Sequence, residues 1–221
     1  MRRSLVAFLL LSLGAVNGQS TAPDSLANLR LRWSMGAVVA VGDSTDYQIV
    51  EGAVTMSEGD RFRLCAEVVL ECHLYVVHVA PSGAVTALHP VKPVFDGGVG
   101  DGREILLPSG GRWFTLDAET GIERIYLVAS VERQEELERA LATHAAASVA
   151  GQSESGAAVR KLLLGLRRST GNFTRSAEKP VSIAGVVRGA ENEAQCVSAL
   201  RHAPIYSAWD LYVKTLTIDH R

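Results

Sequence analysis

Apolar and polar residues alternate along LRLRWSMGAVVAV, from Leu29 to Val41, before the run turns wholly apolar. Alternation with a period of two marks a strand with one buried face. The turn residues GDSTD, Gly42 to Asp46, close it. YQIVEGAVTM then reads as extended chain, and SEGD ends it with a second turn. RFRLCAEV is the next strand. Phe62, Leu64 and Ala66 project to one side; Arg61, Arg63, Cys65 and Glu67 project to the other. CHLYVVHVA and AVTALHP flank Pro81-Ser82-Gly83, a compact turn of the kind that joins antiparallel strands. RWFTL and IERIYLVAS are two further strands, joined by the turn DAETG. In the second, Ile125, Leu127 and Ala129 share one face, and Tyr126, Val128 and Ser130 share the other. Both faces are apolar, which predicts a central strand covered on each side.

After Ser130 the period changes. ERQEELERALATHAAASVA is rich in helix formers, with Leu137, Leu141 and Ala145 four apart. GQSESG reads as a break. It misses the Gly-x-Ser-x-Gly nucleophile elbow, because Ser155 stands where the last glycine belongs. AAVRKLLLGLRR, Ala157 to Arg168, is a second amphipathic helix with a stripe of Val159, Leu162, Leu163 and Leu166. STGNFTRSAEKP is a loop with a glycosylation sequon at Asn172, VSIAGVV a strand, and GAENEAQ a polar turn. WDLYVKTLTIDHR alternates again and predicts a closing strand that returns to the sheet. The expected fold is α+β: predominantly antiparallel and sandwich-like, with two amphipathic helices packed on it.

Composition narrows the function. The 221 residues are 47% hydrophobic, enough for a real core, and the net charge is -2. A nucleic-acid binder would carry a strongly basic balance, so that class is excluded. The first residues, MRRSLVAFLLLSLGAVNGQS, have a basic start, an apolar run and small residues before Gln19. This is the layout of a secretory signal peptide cut near Gly18-Gln19. The apolar run is shorter than the roughly 20 residues of a spanning helix. No later segment is long and apolar enough to span, so the mature chain is expected to be exported, periplasmic or extracellular. The expected organisation is a signal peptide over 1–18, a loose leader over 19–29, a β-rich domain over 30–131, and over 132–221 a helical pair with C-terminal strands on the same core.

Three cysteines, Cys65, Cys72 and Cys196, leave one thiol over after a single bridge. Cys65 and Cys72 are expected on neighbouring strands, so a bridge between them is one option; three buried thiols are the other. His73, His78 and His89 crowd one stretch, HLYVVHVAPSGAVTALHP. His73 and His78 are five apart on a strand and project to opposite faces. A His73–His89 pair across the turn is conceivable, but no third ligand accompanies it and zinc needs at least three. No metal site, cofactor site or catalytic residue is therefore assigned. FDGGVGDGRE, Phe95 to Glu104, has neither the stacked copies of a calcium-binding repeat nor the Gly-Lys-Ser/Thr of a phosphate loop, and reads as a flexible connection.

Four short motifs occur in order: SEGDRFRL, HLYVVHVAPSGAVTALHP, LLPSGGRWFTLD and GIERIYLVAS. In this order and spacing the segment from about Val54 to Glu132 resembles a bacterial family, the domain of unknown function 4384 (DUF4384). The resemblance implies an accessory module without an established activity, and names no ligand. His73, His78 and His89 are not part of the family pattern and inherit no role from it.

The reading that follows is an exported, non-catalytic binding or scaffolding module of the bacterial cell envelope, with a protein or envelope polymer as partner. One alternative is a hydrolase or metal-dependent enzyme using His73 or His89. Another is a membrane-surface protein working through Ala157 to Arg168, whose Arg160, Lys161, Arg167 and Arg168 make one side basic.

Overall fold

The computed structural model describes residues 27–90, 97–170, 174–175 and 193–221. The expected signal peptide, the sequon at Asn172 and the VSIAGVV strand lie outside these residues. The strands in chain order are β1 (Leu29–Val41), β2 (Ser44–Val50), β3 (Ala53–Met56), β4 (Arg61–Val68), β5 (Cys72–Val79), β6 (Val85–His89) and β7 (Gly98–Val99). β8 (Arg103–Leu107), β9 (Phe114–Thr115), β10 (Gly121–Ser130), β11 (Thr174–Arg175), β12 (Tyr206–Ala208) and β13 (Leu211–His220) complete the set. The helices are α1 (Glu135–Ala146), α2 (Gln152–Ser169) and α3 (Glu193–His202).

Two sheets face each other. One runs β11-β12-β1-β4-β8, with β2 beside β1 and β9 beside β4. The other runs β3-β13-β10-β5-β6, with β7 beside β5. The described pairings are antiparallel except that of β3 with β13. Strand alternation then builds the layers. Leu31, Met35, Leu64 and Ala66 from the first sheet meet Leu74, Val76, Ile125, Leu127 and Leu216 from the second, and this is the main core. The opposite face of the second sheet carries Tyr75, Val77, Tyr126 and Val128, which pack on Leu137 and Leu141 of α1 and Val159 and Leu163 of α2. The opposite face of the first sheet meets α3 through Cys65, Cys196 and Leu200. The order is thus α3, sheet, sheet, then α1 with α2. β10 is covered on both faces and lies between β5 and β13, as its two apolar faces require.

The alternation of β4 is as read: Phe62, Leu64 and Ala66 enter the core, and Cys65 lies on the far side. The bridge, however, joins Cys65 to Cys196 on α3, with Cα atoms 6.2 Å apart and 131 residues between them in sequence. β4 and β5 belong to different sheets, so Cys65 and Cys72 are not ladder neighbours. Cys65 faces α3, whereas Cys72 faces the main core as a buried free thiol.

Other local expectations need correction. RWFTL contributes only Phe114 and Thr115 to a ladder, since Trp113 turns away to pack on Tyr47 and Arg63. The preceding REILL forms β8 instead, with Ile105 and Leu107 in the core. GQSESG is not a break: α2 starts at Gln152, and the Ser155 hydroxyl donates back to the Gly151 carbonyl at 2.8 Å. In the FDGGVGDGRE stretch Gly98 and Val99 pair with His73 and Cys72, so the connection is partly strand. In α1 the buried stripe is Leu137 and Leu141, and Ala145 is exposed. The third helix, α3, was not expected, because its apolar stripe is only Cys196 and Leu200.

Candidate functional site

At one end of the sandwich the core face of the second sheet turns polar. Along β5 the inward series Leu74, Val76 continues to His78; along β10 the series Leu127, Ile125 continues to Glu123; along β13 the series Leu216, Ile218 ends at His220. Antiparallel register brings the three together: Ile125 pairs with His78, Glu123 with Ile218, and Gly121 with His220. Glu123 is 5% exposed and His220 2%. A buried carboxylate needs donors. It receives His78 Nε2 on Oε2 at 2.6 Å and His220 Nδ1 on Oε1 at 3.1 Å. Because the carboxylate only accepts, each imidazole donates from that nitrogen. In a neutral ring this leaves His78 Nδ1 and His220 Nε2 as lone-pair acceptors, and His220 Nε2 is buried without a partner.

His78 and Glu123 open onto a cleft of about 230 Å³ between the ends of the two sheets. Phe62, Phe114, Leu88 and Leu116 supply apolar walls, and the two phenylalanine rings are 5.1 Å apart between centroids. Thr86 and Thr115 add hydroxyls, and Asp117 and Glu119 stand at the exposed rim. The rim is itself fixed. Asp117 accepts the Glu119 backbone N–H at 2.8 Å, and Glu119 accepts the Ser82 backbone N–H at 2.7 Å, which ties the β9–β10 connection to the β5–β6 turn. Among the described residues the lining thus holds three carboxyl groups, two hydroxyls and one imidazole, and neither lysine nor arginine.

The histidines singled out in the sequence do not assemble. His73 stands opposite Gly98 and Ser130, whereas His89 stands opposite Val76 next to a bulge in the β5–β6 ladder. His73 and His78 do face opposite sides, as their spacing requires. Burial, and then the charge of Arg103, lower the pKa of His89. Among the described residues no group of three histidine, cysteine or acidic side chains is arranged to hold a metal. Glu123 and His220 escaped the sequence reading. They lie 45 and 142 positions beyond His78, a separation only the fold closes. The available signal was local: each is a polar residue on the apolar side of an alternating strand.

Other polar contacts hold elements together. His144 of α1 meets the Ser155 hydroxyl of α2 at 2.9 Å and the Val85 carbonyl at 3.0 Å, which joins both helices to β6. Arg63 is fully buried between Tyr47 and Trp113, with the Pro108 carbonyl as acceptor at 3.4 Å. On α2, Arg160 donates to the Gly83 carbonyl, while Lys161, Arg167 and Arg168 remain exposed. No helix of the described residues is long and apolar enough to cross a membrane.

Residues 55–133 match the family described as Domain of unknown function (DUF4384). This segment is DUF4384-like. No curated protein and no solved structure matches the chain. The DUF4384-like segment supplies β4 to β10, and with them His78, Glu123 and every other residue lining the cleft. It does not supply all the inner strands of the two sheets. β1 lies between β4 and β12, and β13 lies between β10 and β3. His220, which completes the histidine–glutamate cluster, comes from β13.

Proposed function

We propose that the chain is an exported, non-catalytic binding module of the bacterial cell envelope, and that the cleft beside His78 and Glu123 is its recognition site. The observation that carries this reading is the cleft: a concave pocket with apolar walls and a few fixed polar groups at the end of a rigid sandwich. Ligand sites have this composition, and placing one on strand ends keeps its geometry fixed. The Cys65–Cys196 bridge supports export, since disulfides persist in oxidising compartments. The sequence of basic, apolar and small residues before Gln19 supports it as well. The DUF4384 match brings no activity with it, which fits an accessory role.

One observation favours a second reading, an enzyme. A carboxylate that orients an imidazole beside a cleft is the arrangement of a general base, and His78 with Glu123 has it at 2.6 Å. Thr86 and Thr115 are the hydroxyls in the same lining. This moves the hydrolase alternative from His73 and His89 to His78.

The test is crosslinked capture from the native envelope with the tagged mature chain, Gln19 onward, beside a Thr115→Trp variant whose indole fills the cleft. The module reading expects one reproducible partner that the variant loses. A partner retained equally by the variant contradicts the cleft assignment. Turnover of an ester or amide library that His78→Ala abolishes would favour the enzyme.

A further inference from the structure

The lining of the cleft is asymmetric in charge. Glu123 sits at its base, 5% exposed, and Asp117 and Glu119 stand at its rim. Thr86 and Thr115 add hydroxyls, His78 adds an imidazole held by Glu123, and the rest is apolar or aromatic. Among the described residues, no lysine or arginine enters the lining to balance the acids. A cleft with one sign of charge and low-dielectric walls focuses its field and selects ligands of the opposite sign. The paired rings of Phe62 and Phe114 give an alkyl stem an apolar surface to pack on.

Size limits the ligand further. Pockets for drug-sized molecules run from about 300 Å³ upward. At about 230 Å³ the cleft suits one long side chain or a small amine. Its depth has apolar walls and an acid at the end, so the complementary ligand is an apolar stem with a terminal cation.

We propose that the cleft takes an alkylammonium or alkylguanidinium group, either a lysine or arginine side chain presented by a partner polypeptide or a free aliphatic diamine. This rests on the cleft being the recognition site and names the chemistry it recognises. The cation sits between Glu123 and the Asp117–Glu119 rim, and its stem packs against the side of the paired Phe62 and Phe114 rings and against Leu116.

The probes are 1,5-diaminopentane, pentan-1-ol, pentanoate and the blocked peptide acetyl-Gly-Lys-Gly-amide, titrated into the isotopically labelled mature chain and followed by amide chemical shifts. The expected result is saturable shifts at Thr86, Thr115 and Asp117 with the diamine or the peptide, and none with pentanoate. The Asp117→Asn, Glu119→Gln double variant keeps both backbone hydrogen bonds of the rim, because an amide oxygen accepts them too, but loses the charges. It should bind the diamine about tenfold more weakly. Because it leaves Glu123 in place, the buried cluster is not disturbed. Tighter binding of the peptide than of the diamine points to a polypeptide source, and the reverse to a free amine; both support the proposal. Pentanol binding as well as the diamine overturns the cation preference and leaves a ligand cleft. No shift with any probe, while Thr115→Trp still loses a captured partner, also overturns it. Capture that is indifferent to Thr115→Trp overturns the cleft reading itself.

Discussion

The hydroxyl of Tyr75 on β5 donates to the carboxylate of Glu138 on α1 across 2.6 Å, with both residues buried. The same hydroxyl accepts the backbone N–H of Gln134 at 3.2 Å, and the Arg133 guanidinium also donates to Glu138. Burial, and then the bond to Glu138, hold the tyrosine proton well above the ordinary range. This knot fixes the start of α1 on the sheet. Tyr75→Phe removes a charge-assisted bond and leaves a buried carboxylate short of one donor. It should cost about 1.5–3 kcal/mol in urea unfolding. A change within about 0.5 kcal/mol would mean that the knot contributes nothing.

His89 makes stability depend on pH. Burial, and then Arg103, hold its pKa below the ordinary 6.5. The folded state therefore binds this proton less readily than the unfolded chain does. The contribution is complete above about 6.5 and falls as the pH drops below that value toward the folded pKa. The urea midpoint should decline between about pH 7.5 and pH 5.5, and His89→Gln should flatten that decline. An equal decline in the variant would remove His89 as its source.

The cysteines differ in kind. Burial, followed by Asp101 and Glu71, pushes the Cys72 thiol up to about 12, so native Cys72 should resist maleimide at neutral pH. Denaturation without reductant should expose one thiol per chain. The Cys65–Cys196 bridge closes a separation of 131 residues and pins α3 to β4. Replacing both by alanine should cost about 2–5 kcal/mol. Rapid native labelling of Cys72, or an unchanged unfolding midpoint in the double variant, would contradict these assignments.

Gly36 is a glycine because Tyr47 lies across it. A Cβ there would come within 2.6 Å of the Tyr47 ring carbon Cζ. Gly36→Ala should therefore destabilise by about 1–3 kcal/mol through overpacking. Adding Tyr47→Leu, which withdraws the ring, should recover part of the loss; no recovery would place the strain elsewhere.

Much of this fold was legible because strands advertise themselves. Alternation placed Phe62, Leu64 and Ala66 against Cys65, and the two apolar faces of β10 marked it as central. Elements with weak local signals were missed. α3 shows only Cys196 and Leu200, four apart, as its apolar stripe. β8 and β9 were misplaced because Trp113 follows ring contacts and leaves the ladder. The site was half legible. His78 stood out as one histidine among several, but its partners Glu123 and His220 arrive from β10 and β13, and register across three strands is a tertiary fact. The disulfide was hidden for the same reason, since only the packing of α3 on the first sheet brings Cys196 to Cys65.

The recognition cleft is the central claim, and one comparison tests it most directly. A photo-activatable residue would replace Ala118, exposed between the two rim acids, in one version of the mature chain and Arg167 on the exposed face of α2 in another. Both would be irradiated in the native envelope. The account predicts that the Ala118 position forms one reproducible adduct, that 1,5-diaminopentane competes with it, and that the Arg167 position forms none. An adduct at Arg167 with none at Ala118 would contradict it and move the working surface to the basic helix.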